Sequence, residues 1–217
     1  MNDQIMRDYY AQRASTLEQV YLKPERQQDL QEIEQRLLEL FKNQTVLELA
    51  CGSGYWSERL ATVATSLHVS DVSPELLDLA QKKTYPDQTV SFGLADIFAL
   101  PPSLAGQYSA CFAGFLWSHI KREQQTALLH QWRRQIGAGT LLVLIDNNYV
   151  EGSSLPVART DMEGNTWQLR DQEDGSRVEI VKNFPSDSAL RKKFSSEVRD
   201  IRIFRNTHYW MLSCVLK

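Results

Sequence analysis

Leu30, Ile33, Leu37, Leu38 and Phe41 recur at three- and four-residue intervals among polar neighbours, the spacing of a helix that buries one stripe. The pattern predicts a helix over residues 24–41 packed against a sheet. Residues 45–49 change the period to a short apolar run that ends in a glycine turn and feeds a new helical pattern, which reads as strand, turn, helix. Residues 67–70 predict a second strand. Ser73-Pro74-Glu75 then opens a helix through Leu76, Leu77, Leu79 and Ala80, with the Ser73 hydroxyl suited to cap it and Pro74 placed where a missing donor costs nothing. Residues 90–94, 108–112 and 141–145 read as further strands, and 121–135 as a helix.

Alternating helices and strands imply parallel strands joined by right-handed crossovers: an α/β domain with one open, mostly parallel sheet and helices on both faces. Ligands then bind at the carboxyl edge of the strands. Past the fifth strand, residues 149–183 form a polar insertion in which 166–170 and 177–181 can pair as a hairpin cap across Asp174-Gly175. A helix over 188–198 and strands at 201–204 and 209–216 close the pattern, the last two close enough in sequence to be antiparallel neighbours. No repeat or interdomain linker interrupts it, so residues 1–217 read as a single domain.

Composition narrows the picture. With 42% hydrophobic and 24% charged residues over 217 positions, the chain can bury a core without disulfide or metal staples. A net charge of -3 supplies no excess of cations to neutralise phosphates, which argues against polymeric nucleic acid and toward a small-molecule substrate. Arg191-Lys192-Lys193 reads as a solvated helix face. No apolar run approaches the roughly 18 residues of a membrane span, so no membrane partner is expected. The first residues lack a signal peptide's basic start and apolar core, and Cys51, Cys111 and Cys214 are odd in number and set among apolar neighbours. The expectation is a cytoplasmic protein with reduced thiols, and Asn43-Gln44-Thr45 is a chance glycosylation match. No cysteine and histidine cluster has metal-ligand spacing, so no metal is expected. A homodimer stays open.

The chemistry concentrates at three successive strand ends. Val46 to Trp56 runs from a strand through Glu48-Leu49-Ala50-Cys51-Gly52-Ser53-Gly54 into a helix that opens with Tyr55-Trp56. Glycines allow the sharp turn and let a ligand approach the main chain, where amide donors point at it. Asp71, about 20 residues further on, ends the next strand where an acid accepts hydrogen bonds from ribose hydroxyls. Asp96, followed by Ile97, ends the third, placed to clasp an adenine. An NAD-binding fingerprint would want a third glycine, and Ser57 stands in its place.

Over roughly residues 45–145 the chain resembles the Rossmann-like class I S-adenosylmethionine methyltransferases, especially the small-molecule type similar to quinone-biosynthesis C-methyltransferases. The resemblance rests on Glu48-Leu49-Ala50-Cys51-Gly52-Ser53-Gly54, on Asp71 and Asp96-Ile97, and on Tyr108 to Ile120 as the fourth strand with its loop. It implies S-adenosylmethionine as cofactor and S-adenosylhomocysteine as product. Glu48 then helps order the loop and the methionine end, with Ala50, Cys51, Gly52, Gly54, Tyr55 and Trp56 around the cofactor. Asp71 takes the ribose, Val72 and Asp96-Ile97 the adenine, and Gly114 and Phe115 lie near the sulfonium. Residues 1–42 become a helical lid and first helix. Two departures from the family pattern stand out: Ser109 replaces the usual aspartate after the aromatic residue that opens the fourth strand, and residues 149–182 exceed the expected connection.

Acceptor-side candidates are less defined. His119 is placed either as a general base or as a residue that fixes the loop. Tyr9, Tyr10 and Tyr21 would line the lid, and Trp117 would wall the pocket or plug the core. Asn148 and Arg159 are substrate candidates, the latter in a polar stretch with Asp161, Glu163, Asn165 and Arg170 that either caps the sheet edge or is solvated. Asp146-Asn147-Asn148-Tyr149 lacks the prolines of the amino-directed DNA methyltransferase signature and follows the wrong strand, and neither Cys51 nor Cys111 sits where a cytosine-attacking nucleophile belongs. The functional expectation is in-line methyl transfer to N, O, S or C of a small molecule. RNA or protein methylation, and a catalytically inactive cofactor-binding interaction protein, are the alternatives.

Overall fold

In the computed structural model, which describes residues 2–86, 89–101, 104–172 and 174–217, a central sheet separates two layers of helices. The chain enters through helix α1 (Asn2–Gln12) and 3-10 segments Ala14–Leu22 and Pro24–Arg26 before α2 (Gln27–Phe41). The predicted first helix thus begins three residues late: Pro24–Arg26 winds as a separate tight turn. Then follow β1 (Thr45–Leu49), α3 (Tyr55–Leu60), β2 (Ser66–Asp71), α4 (Pro74–Gln81), β3 (Thr89–Leu94), β4 (Ala110–Gly114), α5 (Arg122–Ile136) and β5 (Leu141–Asn147). The remainder forms β6 (Arg159–Thr160), β7 (Thr166–Asp171), β8 (Arg177–Val181), α6 (Asp187–Phe194), β9 (Val198–Arg205) and β10 (Tyr209–Leu216).

The sheet order is β3-β2-β1-β4-β5-β10-β9. The first five strands pair in parallel, and β10 runs antiparallel to both β5 and β9. Strand alternation assigns side chains to the two faces. Val46, Phe112, Val143 and Ile145 pack with the α2 stripe of Leu30, Ile33, Leu37 and Phe41 and with α3 and α4. Leu47, Leu49, Cys111, Leu142 and Leu144 pack with α5 and α6, around Trp132, Trp117 and Phe194. Ser73 caps α4 by accepting from the Leu76 N–H at 3.3 Å, with Pro74 at the first helical position as the sequence indicates.

Two further boundaries are corrected. Strand β4 starts at Ala110 because Ser109 is spent at the strand entry, its Oγ donating to Gln44 Oε1 and accepting from the Thr45 N–H. Helix α6 stops at Phe194 rather than 198, since Val198 already pairs with Leu216 in β9. The insertion contains the predicted hairpin, β7 with β8, and β6 pairs with β7 to make a separate three-stranded antiparallel sheet. No helix among the described residues is long and apolar enough to cross a membrane.

Strand order reverses beside β1, whose neighbours β2 and β4 are reached by crossovers in opposite directions. Such a switch point leaves a crevice at the strands' carboxyl ends. Here α1 and segment Ala14–Leu22 roof it, and the insertion's sheet closes one side, with α1 packed against β8.

Candidate active site

A cavity of about 670 Å³ occupies this crevice. Its floor is the turn after β1. Ala50 (φ 54°) and Gly52 (φ 58°) both adopt the left-handed region, costly for a residue with a Cβ, so alanine at 50 marks a backbone held to one shape. Cys51 N–H donates to Ser70 O at 3.0 Å, and Gly52 N–H donates to Asp71 Oδ2 at 2.9 Å. Asp71 Oδ1 meanwhile accepts from Ser73 N–H at 2.9 Å. The acid at the end of β2 therefore ties two loops together while retaining lone pairs toward the cavity that it lines. Burial raises its pKa, and the backbone donors oppose that shift.

Glu48, 1% exposed, lines the same floor and has one carboxyl oxygen, Oε2, buried without a partner. Desolvation pushes its pKa up to about 8, so at neutral pH the side chain is chiefly protonated until a cation or donor arrives. Gly54 has a different task from the one its motif suggests. A Cβ there would lie 2.8 Å from Ala80 Cβ and 2.9 Å from Ala80 Cα, so this glycine packs α3 against α4 and does not line the cavity. Gly52 is the one facing the roof, with Leu17 Cδ2 3.1 Å from where its Cβ would stand.

On the far side, Phe115 follows β4 with φ 57°, its N–H donating to Ile145 O at 2.7 Å. Its ring joins an aromatic wall: Tyr21 stacks on Tyr55 with centroids 3.8 Å apart, and Trp56 and Tyr209 meet Tyr21 and Phe115 edge-on. His119 is 7% exposed and fully partnered. Its Nδ1 lies 2.6 Å from the carbonyl of Val181, which only accepts, so Nδ1 carries the proton and Nε2 accepts from the Tyr10 hydroxyl at 2.8 Å. Burial, then the Lys182 ammonium, pull the imidazole pKa down to about 3, and burial pushes the Tyr10 phenol up to about 12. Both are neutral at physiological pH. Lys182 itself is buried, donating from Nζ to Asp146 Oδ1 at 2.9 Å and to Ser118 Oγ at 2.7 Å.

Residues 46–139 match the family model described as methyltransferase domain. That stretch, a little under half of the chain, is similar to a methyltransferase domain. Among solved structures, the fold resembles that of one described as a DhpI-SAH complex, with 23% identity over 96% of this chain and 93% of that one and a TM-score of 0.78. A DhpI-SAM-HEP complex gives 20% identity over 98% and 97%, with a TM-score of 0.79. Magnesium protoporphyrin IX methyltransferase from Synechocystis PCC 6803, with bound SAH, gives 16% over 99% and 100%, with a TM-score of 0.67. No curated protein matches.

Of the residues that the sequence singles out, Glu48, Ala50, Cys51, Gly52, Tyr55, Trp56, Asp71, Val72, Gly114, Phe115, His119, Tyr9, Tyr10 and Tyr21 all line the cavity. Asp96 and Ile97 stand just outside it. Asp96 pairs with Arg7, a lining residue, at 2.6 Å, and the Ile97 carbonyl accepts from Trp132 Nε1. Three substrate candidates do not line the cavity. Trp117 is 1% exposed in the core against Phe194. Asn148 spends its amide on the carbonyls of Asn206, Thr207 and Tyr209 and its oxygen on Arg205. Arg159 pairs with Glu179 at 2.7 Å on the exposed outer side of the insertion, its guanidinium over Trp167. Each is consumed by packing or pairing that alternation and spacing do not reveal. The sequence reading missed Arg26, Asn147, Gln168 and Lys182, all lining the cavity. Arg26 alone left a trace: a cation where a helix begins, the end the helix dipole disfavours.

Proposed function

We propose that the protein transfers a methyl group from S-adenosylmethionine to a nucleophilic N, O, S or C atom of a small molecule. The observation that carries this reading is the continuity of one roofed cavity, with the Glu48, Gly52 and Asp71 floor on one side and Phe115, Tyr10 and His119 on the other. A polymer could not enter beneath α1 without displacing it, whereas a small acceptor fits.

The residues suit the cofactor on this structure's own terms. The unpartnered Glu48 Oε2 is an acceptor waiting for the donors of an amino-acid head group, and the left-handed Gly52 leaves open main chain beside it. Asp71 presents carboxylate lone pairs for ribose hydroxyls. When bound, the cofactor supplies an electrophilic methyl on a sulfonium, which an acceptor displaces in line. The protein's part is to orient and to exclude water: the Tyr21, Tyr55, Trp56 and Phe115 wall desolvates the approach, and the roof closes over it. A base pKa near 3 makes His119 a poor proton acceptor at neutral pH, so its proposed role is positional, holding Tyr10 and hence α1 over the site.

Calorimetric titration with S-adenosylmethionine and S-adenosylhomocysteine tests the reading, followed by transfer of labelled methyl to pooled small molecules, RNA and protein. Micromolar binding that weakens by at least about a hundredfold in Gly52→Arg, with label appearing in small molecules, is expected. Label confined to RNA or protein would replace the small-molecule reading, and binding without any transfer would favour the inactive alternative.

A further inference from the structure

The cavity's charges do not balance. Arg7 and Lys182, which line it, are answered by Asp96 and Asp146. Arg13, Lys23, Arg26 and Arg170 line it too, and none makes an ion pair with any described residue, but Arg26 and Arg170 stand out by their buried, unpartnered nitrogens. Arg26 is 5% exposed, yet its partners are the neutral Asn147 Oδ1 at 3.4 Å, Ser153 O at 3.3 Å and Ser153 Oγ at 2.9 Å. Arg170 donates only to the neutral Gln168 Oε1 at 2.8 Å. In both guanidiniums Nε is buried without a partner.

Nearby carboxylates do not repair this. Glu25 is exposed and shares Ser153 Oγ, and Asp29 is spent on His208 Nδ1 at 2.8 Å and on its N–H. A guanidinium removed from water without a counter-charge is costly, and its planar array of donors suits a carboxylate or phosphoryl oxyanion reaching it from the cavity. The two arginines come from opposite ends of the sequence, one at the entry to α2 and one in β7, and converge on the side of the cavity formed by the insertion and the end of β5. Both lie near enough to Lys182 to depress its pKa, which puts them around one locus. On the cofactor side, by contrast, the floor offers acidic groups.

We propose that the methyl acceptor is a small acid whose carboxylate or phosphoryl oxyanion is held by Arg26 and Arg170. This rests on the methyltransferase reading and names the substrate class of that same site. The pair fixes one end of the acceptor so that its nucleophile meets the aromatic wall, and it selects against neutral analogues, which leave the two guanidiniums unanswered.

The test uses the full chain saturated with S-adenosylhomocysteine and titrated with sodium phosphate and, separately, sodium acetate, at ionic strength held constant with chloride. Binding of at least one anion in the wild type, weakened by about tenfold or more in Arg26→Gln and in Arg170→Gln, is the expected result. Arg170→Lys, which keeps charge and loses the fork, should fall between. S-adenosylhomocysteine affinity should stay within about threefold in every variant. Failure of the wild type to bind either anion, or unchanged anion binding in the variants, overturns the proposal. So does a variant that loses S-adenosylhomocysteine, because the arginines would then hold the cofactor's carboxylate. Repeating the anion titration without S-adenosylhomocysteine reads the arginine pair even if the cofactor assignment fails, and Arg170, half-buried in the smaller sheet, still reports if Arg26→Gln does not fold.

Discussion

The two walls of the cavity are built by different means. The wall we assign to the cofactor comes from β1, β2 and the turns that follow them, and its shape is held by main chain: Ala50 and Gly52 left-handed, Asp71 accepting from Gly52 and Ser73. The acceptor wall comes from α1, the entry to α2, the loop after β4, the end of β5 and the insertion, and it is held by side chains: Tyr10 on His119, Arg26 on Asn147 and Ser153, Lys182 on Asp146. Their buried titratable groups are opposed as well. Glu48 is held protonated on one wall, with its pKa raised, and His119 is held neutral on the other, with its pKa lowered. A wall made of backbone is conserved in shape whatever is packed on it; a wall made of side chains can be respecified by a few substitutions.

The largest effect should come from the seam where the insertion joins the sheet. Lys182→Met leaves the Asp146 carboxylate buried and unanswered and should cost about 3–5 kcal/mol. Adding Asp146→Asn, which keeps an acceptor for the Ser118 N–H while removing the charge, should recover part of that loss. Urea denaturation of the single and double variants measures both, and a neutral Lys182→Met would show that the two regions are not coupled through this pair. Behind the cavity floor, at the packing of α3 on α4, Gly54→Ala combines a left-handed φ of 82° with a contact 2.9 Å from Ala80 Cα. It should cost about 2–3 kcal/mol through backbone strain and crowding. A fall in thermal midpoint with S-adenosylhomocysteine affinity preserved in the folded fraction would separate this packing glycine from Gly52.

The opposed titrations sharpen the same contrast. Because Glu48 has a folded pKa of about 8 against a model value of 4.5, its contribution to stability is full below 4.5 and is lost as pH rises through about 8. His119 runs the other way: with a folded pKa of about 3 against 6.5, its contribution is present above 6.5 and is lost as pH falls through about 3. Urea midpoints across pH should lose the first slope in Glu48→Gln and the second in His119→Gln. Turnover should show no inflection near pH 6.5 that His119→Gln abolishes, and an inflection that did vanish would return His119 to the role of base.

How much of this the sequence reveals follows the same division. Local periodicity and the glycine turn suffice for β1 to β5, for Gly52 and for Asp71 at the next strand's end, because these depend on spacing between neighbouring elements; Glu48 comes from the family resemblance. Even the hairpin in the insertion is legible from Asp174-Gly175 and its flanking runs. The acceptor wall is legible only in part: Tyr10 and His119 stand out as lid and strand-end candidates, whereas Arg26 and Lys182 join them only through packing. Gly54 shows the limit within the legible half: the motif marks a required glycine, while the reason, Ala80 of α4, lies 26 residues away.

Arg159 is the smallest expected effect and tests where the acceptor wall ends. Its bidentate pairing with Glu179 and its position over Trp167 are exposed, an arrangement that contributes little at a solvent-facing pair. Arg159→Ala should therefore leave S-adenosylhomocysteine affinity and methyl transfer within about twofold of wild type. Arg170, eleven positions on and in the adjoining strand, should by contrast govern anion binding. The two arginines share a polar stretch and a sheet but not a cavity, so steady-state kinetics on the matched pair of variants reads the boundary directly. A large loss in Arg159→Ala would move that boundary outward and make the whole insertion, rather than its inner face, part of the acceptor wall.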